Sequence, residues 1–331
     1  MPATVSDSLG LAIDHTKQQL FTPFRIGQWT RLALVGLLAG ELGSNGCNFQ
    51  VPGRTGATPH PQLGIDPALL VPLIVAGVIV ALAIGIALMY VSSVMRFVLF
   101  DSIVTRECRV RSGWRRRVGP GRRFFVWSLL YTVLTMTGVA ILLGFPLAFA
   151  YAAGWLTQPK EHLLPLVLGG IVLLFLLLAF CVGAGVVFVL TKDFVVPQMA
   201  LEGLGAMEAW RRLWTMMKAE KGAYAGYVGM KIVLGLAAAI AIGIVAVIVA
   251  LILAAPVVGL ALAGRLAGLA WNAHTIALAV VAGCIWLAAF VCLVSLISVP
   301  AIVFFPAYSV HFFAGRYPPL EAALVHSADV S

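Results

Sequence analysis

The sequence predicts an all-α, polytopic membrane protein with six transmembrane helices arranged as three hairpins, plus an interfacial amphipathic helix. Three observations carry this. Of 331 residues, 61% are hydrophobic and 11% charged, with a mean hydropathy of +1.02, whereas a soluble domain is about 25% charged. Six stretches approach or exceed the roughly 20 apolar residues that a spanning helix takes. Once those spans are placed, 19 of the 22 Lys and Arg fall on one side of the membrane.

The first stretch, about 27–43, is the weakest, with Arg31 and Glu41 near its ends. The second starts at Ala68 and runs to about Phe100. The third starts at Phe124 and passes Gly144 and Pro146. The fourth covers Leu163–Leu190, and Pro197 is expected to stop it. The fifth runs from near Tyr224 to about Pro256, and the sixth from near Thr275 past Pro300 to about Pro306. The longer ones must tilt, kink or project from the bilayer. Gly77, Ala81 and Gly85 in the second, and Gly235, Ala239 and Gly243 in the fifth, form small-residue faces of the kind that lets helices approach.

Lys and Arg gather on the cytoplasmic side of membrane proteins. Placing both termini inside leaves only Arg54, Lys160 and Arg265 outside. The expected organisation is one integral membrane domain over 1–331 in the cytoplasmic (inner) membrane of a bacterial-type cell. Residues 1–26, the loops 101–123 and 191–223, and the tail 307–331 are then cytoplasmic. This distribution explains the net charge of +9 without nucleic acid. The first 20 residues lack the apolar core and cleavage site of a signal peptide, so the N-terminus is expected to be retained. The cysteines at 47, 108, 181, 284 and 292 show no metal-binding spacing, and no disulfide is inferred.

The hairpins resemble one another weakly. "WTR" at Trp29, "WRRR" at Trp114 and "WRRL" at Trp210 each precede an outgoing helix. Each return helix ends in an aromatic-rich stretch, at 96–101, 187–197 and 301–309. Internal duplication and the ordinary preference of Trp and Arg for interfaces both account for this.

The loop 191–223 stands apart by its charge. On a helix, Leu204, Met207, Trp210, Trp214 and Met217 fall at steps of 3 and 4 and form one apolar stripe, which Leu213 widens. Arg211 and Arg212 lie mostly opposite, with Glu208 in the favourable i,i+4 order to Arg212. Such a helix is too polar to span and is expected to lie in the interface, after a flexible lead-in at Gly203 and Gly205. The other loop is rich in arginine. Arg109, Arg111, Arg115, Arg116, Arg117, Arg122 and Arg123 mark the cytoplasmic side and are candidate contacts for lipid phosphate.

The stretch "VVPQMALEGLGAMEAWRRLWTMMKAEKGAYAGY" resembles the inner segment of a diffuse group of bacterial six-helix membrane proteins. That group includes the membrane domain attached to some glycerophosphodiester phosphodiesterases and many uncharacterised relatives. Its pattern falls here on Pro197, Glu202, Gly203, Gly205, Ala209 and Arg212, while Leu213 stands where the group has a small residue. The resemblance implies the six-helix layout. The hydrolytic domain of those relatives has no counterpart, so phosphodiesterase activity is not expected.

No metalloprotease, serine-hydrolase, nucleotide-binding or calcium-binding pattern occurs. No cofactor or metal is expected. His60, His162 and His274 fall one in each outer segment and read as solvated loop histidines. Coupled transporters carry ionisable groups in mid-membrane, and the spans here are almost free of them. The expected function is a non-enzymatic membrane module that organises lipids, anionic ones among them, or a partner protein at the inner face. The alternatives are a permease for a hydrophobic or phospholipid-related substrate and, third, a membrane-embedded enzyme.

Overall fold

The structure, a computed structural model, describes residues 4–22, 24–41, 67–156, 160–266 and 273–330; among these it contains no β-strand. In chain order the helices are α1 (Val5–Phe21), α2 (Ile26–Ala39), α3 (Pro67–Val104), α4 (Val110–Ala152) and α5 (Leu163–Leu190). A π-helical turn (Thr191–Val195) leads into α6 (Val196–Glu202), followed by α7 (Ala206–Ala219) and α8 (Lys221–Leu266). The chain continues through α9 (Ala273–Ile297), α10 (Val299–Ala314) and α11 (Pro318–Val330). Among the described residues five segments are long and apolar enough to cross a membrane: Ile74–Val104, Val110–Ala152, Leu163–Glu202, Lys221–Gly259 and Ala277–Ile297. These are the helices of a multi-pass membrane protein.

The chain divides into two units, Met1–Arg116 with Gly222–Ser331, and Arg117–Lys221. In the first, the core is built on α10. Its residues are apolar almost all round, and Ile302, Val303, Ala307, Phe312 and Phe313 are wholly buried, as expected for a central helix. Tyr227 of α8 stacks on Tyr308 at 5.0 Å between centroids, and Tyr224 meets Phe312 edge-on at 5.7 Å. The sixth expected span is therefore two helices, broken at Ser298. Pro300, in the first turn of α10, has no N–H for the preceding turn, and its ring crowds the carbonyl four residues back. The expected tail 307–331 is largely helical, as the end of α10 and as α11.

Residues 1–26, expected as a cytoplasmic segment, include a packed core helix. α1 starts on a capping box in which Thr4 Oγ1 accepts from the Asp7 amide and Asp7 Oδ2 from the Thr4 amide. Its buried residues Ser8, Ala12, His15, Gln19 and Leu20 share one face. Trp29 Nε1 and Gln28 Nε2 then tie the start of α2 to the carbonyls of Leu20 (3.2 Å) and Arg106 (2.9 Å).

The first expected span, 27–43, is the 14-residue α2, which is not among the five long apolar helices. Its far end was expected on the opposite side of the membrane from Arg96. Instead Arg96 Nε and Ser92 Oγ donate to the carbonyl of Ala39, at 3.2 and 3.1 Å. These bonds satisfy a helix C-terminus with a cation, where the dipole favours one. α2 thus packs along the buried last third of α3, while Pro67 lies 25 residues from Ser92 along that helix, about 38 Å. Gly36 permits the approach of α10: a Cβ there would meet Ile302 at 2.5 Å. Gly77, Gly85, Gly235 and Gly243, expected at helix contacts, would each place a Cβ in open space.

In the second unit α4 and α5 pair through aromatic rings. Trp127 stacks on Tyr131 at 5.1 Å, Tyr131 on Phe188 at 6.4 Å, and Gly138 admits the ring of Phe180. The expected loop 101–123 is mostly helical, because α3 runs to Val104 and α4 starts at Val110 rather than at Phe124. Pro197 does not end the fourth span. It occupies the first turn of α6, where its missing N–H costs nothing. The stop is Gly203, at φ +67°, a left-handed cap that suits glycine.

Candidate functional site

α7 is the charged helix foreseen in the loop 191–223, but its faces differ from the expected ones. Ala206, Ala209 and Leu213 are buried, with Trp210, Met216 and Met217 half-buried beside them. This face is i, i+3, i+4, i+7 and faces protein. Leu204 precedes the helix and is half-buried. Met207 and Trp214 instead stand 73% and 53% exposed. The expected stripe is therefore split between two faces. Leu213, expected to widen the stripe, is on the buried face with the two alanines.

The placement of α7 follows from three anchors. Trp210 Nε1 donates to Thr191 Oγ1 at 3.1 Å, and Thr191 in turn donates to the carbonyl of Val187 at 2.7 Å. Arg212 Nη1 reaches both carboxylate oxygens of Glu202, at 2.8 and 2.6 Å. Arg212 was expected to pair with Glu208. Gly203 and Gly205, expected as a flexible lead-in, are a C-cap and an N-cap that turn α7 back so that Glu202 faces Arg212. Thr191 lies in the π-helical turn, whose Asp193 is also buried. Such turns recur at functional sites. The signal for Thr191 was legible as the polar interruption "TKD" in an apolar run, but nothing local pointed to Trp210 as its donor.

Arg211, expected opposite the apolar stripe, shares a side with part of it: Met207, Arg211, Trp214 and Lys218 fall at i, i+4, i+7 and i+11, within about 60° of one another. All four are exposed. Lys218 Nζ lies 5.6 Å from the Trp214 ring centroid, within cation–π range. Two apolar side chains, one of them Trp, thus alternate with two cations on a single exposed line.

The arginine stretch separates into distinct roles. Arg117 Nη1 donates to the carbonyl of Ala200 at 2.6 Å and Arg123 Nη1 to that of Gly203 at 2.8 Å. Both cap the C-terminus of α6, where carbonyls lack helical partners. Arg109 pairs with Glu107 at 2.9 Å, both exposed. Arg111, Arg115 and Arg116 in the first unit and Arg122 in the second are exposed, with no ion pair among the described residues. Among the described residues no three His, Cys, Asp or Glu gather to hold a metal. Of the three outer-segment histidines, His162 lies 6.3 Å from the Trp155 ring, while His60 and the side chain of His274 fall outside the described set.

The model of a family of unknown function, DUF7544, matches residues 3–323, and the chain belongs to that family. No curated protein and no solved structure matches it. Nothing in these comparisons links it to the phosphodiesterase membrane domain.

Proposed function

We propose that this family member is a non-enzymatic integral membrane module whose α7 lies in the inner interface and engages acidic lipid. The observation that carries this is the exposed line of Met207, Arg211, Trp214 and Lys218. Trp and Met enter the headgroup boundary, while Arg and Lys on the same line meet phosphate. In the same unit, Arg122 is a further exposed cation. Each basic residue near an acidic leaflet contributes about 1 kcal/mol.

The proposal places both termini and α7 on the cytoplasmic side of the cytoplasmic membrane. The support is the excess of Lys and Arg on that side, and the packing of α1 against α10, which keeps the two ends of the chain together. Quantifying the lipids that co-purify with the full chain tests the function. Wild type should enrich phosphatidylglycerol over phosphatidylethanolamine, and Arg211→Gln with Lys218→Gln should lower that enrichment about fivefold per charge. An unchanged lipid profile in the double variant would assign the face to a protein partner instead.

A further inference from the structure

The first unit contains an apolar groove that is distinct from α7. It has a volume of about 350 Å³ and is bounded by α1, α8 and the junction of α9 with α10. Ala238 and Ala241 of α8 and Ala301 of α10 leave the space, and Phe304 and Phe305 line it too. Ile297 and Pro300, on either side of Ser298 where α9 gives way to α10, both line it. Along α8 the lining runs from Leu234 to Ile242, a length of about 12 Å. The groove begins just past Lys231, whose ammonium lies over the Tyr227 ring.

Apart from Thr16, whose hydroxyl already donates to the carbonyl of Ala12, the only polar side chain among the described lining residues is Lys17. Lys17 is exposed and has no ion pair among the described residues. The groove thus joins an apolar slot to one unneutralised cation on a flexible stem. A ligand that matches both is an acyl chain joined to an anionic headgroup. The volume lies at the lower end of small-molecule pockets, roughly 300–1,000 Å³, which suits one chain and not a whole two-chain lipid.

We propose that the groove holds one acyl chain of an anionic phospholipid, with Lys17 at its phosphate. Retention of the chain, rather than its passage across the membrane, is the claim. It does not depend on α7, whose residues take no part in the groove.

Native mass spectrometry of the purified full chain, titrated with dioleoyl phosphatidylglycerol or dioleoyl phosphatidylcholine, tests this. Wild type should retain one phosphatidylglycerol in preference to phosphatidylcholine. Ala241→Trp fills the slot and should abolish that retained lipid of either kind. Lys17→Gln, at an exposed position that leaves the fold intact, should reduce the preference for phosphatidylglycerol about fivefold without changing phosphatidylcholine binding. Equal lipid retention by wild type and a normally folded Ala241→Trp would overturn the proposal. So would an unaltered preference in Lys17→Gln, or a dimer mass in place of bound lipid, which would assign the groove to a second copy of the chain. Arg211→Gln with Lys218→Gln should keep the single retained lipid, so failure of the α7 proposal and failure of this one are told apart.

Discussion

Trp210 Nε1 donates to Thr191 Oγ1 at 3.1 Å, and this bond turns one of the two α7 tryptophans toward the protein while leaving Trp214 exposed. Thr191 is fully buried and Trp210 half-buried, and a bond of this kind is worth about 1 kcal/mol. Trp210→Phe should speed amide exchange across 206–219 about fivefold, and Trp214→Phe should leave it unchanged. Equal exchange in both variants would mean that the bond does not hold the helix.

Gly36 sits against Ile302 so closely that an added Cβ would lie 2.5 Å from the isoleucine side chain. Ile302 is wholly buried. Gly36→Val should therefore lower stability by about 1–3 kcal/mol through overpacking. The same change at Gly77, which faces open space, should be nearly silent in a thermal melt of the purified protein.

A buried histidine pair gives the first unit a pH dependence. His311 Nε2 lies 3.4 Å from His15 Nδ1, and His15 Nε2 and Gln19 Oε1 are buried without hydrogen-bond partners. Burial, with His311 and Arg106 adding like charge, holds His15 down to about 4. Burial and then Arg106 lower His311 as well. A histidine depressed in the folded state binds fewer protons than in the unfolded chain between the two pKa values. Stability is therefore full above about 6.5 and falls as pH drops toward 4, by about 1.4 kcal/mol per pH unit for His15. Melting temperature should fall from pH 7 to pH 5, and His15→Gln should flatten that slope. An equally steep slope in the variant would place the dependence elsewhere.

Much of the fold was legible because lipid demands long apolar runs, and five of the six expected spans are long apolar helices. The first expected span misled because the 27–43 stretch is apolar for another reason: it packs against α3 and α10, as Gly36 and Ala39 show. Apolar composition alone does not separate burial in lipid from burial in protein. The charged helix was legible from its 3.6-residue period. Its orientation was not, because Ala206 and Ala209 share the buried face with Leu213 while the larger Met207 and Trp214 stand exposed, and the bonds to Thr191 and Glu202 that hold the helix are not local in sequence. Arg117 and Arg123 were indistinguishable in sequence from their exposed neighbours, since helix capping depends on carbonyls about 80 residues away.

The charge-based orientation has its own test. Cys108 is buried, and burial raises its thiol pKa, so labelling should use cysteines placed at exposed Arg115 and Lys160 in a cysteine-free chain. Cysteine at position 160 should react from outside in intact cells, and cysteine at 115 only after the membrane is opened. The reverse pattern would invert the topology.

The most direct test of the proposed role of α7 is the depth of its two tryptophans. Versions of the full chain that keep only Trp210 or only Trp214 are placed in bilayers with quenchers at graded depths along the lipid. With α7 in the interface, Trp214 should be quenched strongly, about 5–10 Å into the boundary, and Trp210 weakly, because it points to Thr191. Trp214 quenching should fall in Met207→Asp, which puts a charge on the exposed line. Trp214 quenched no more than Trp210 at any depth would contradict the account and leave the exposed face of α7 to water or to a protein.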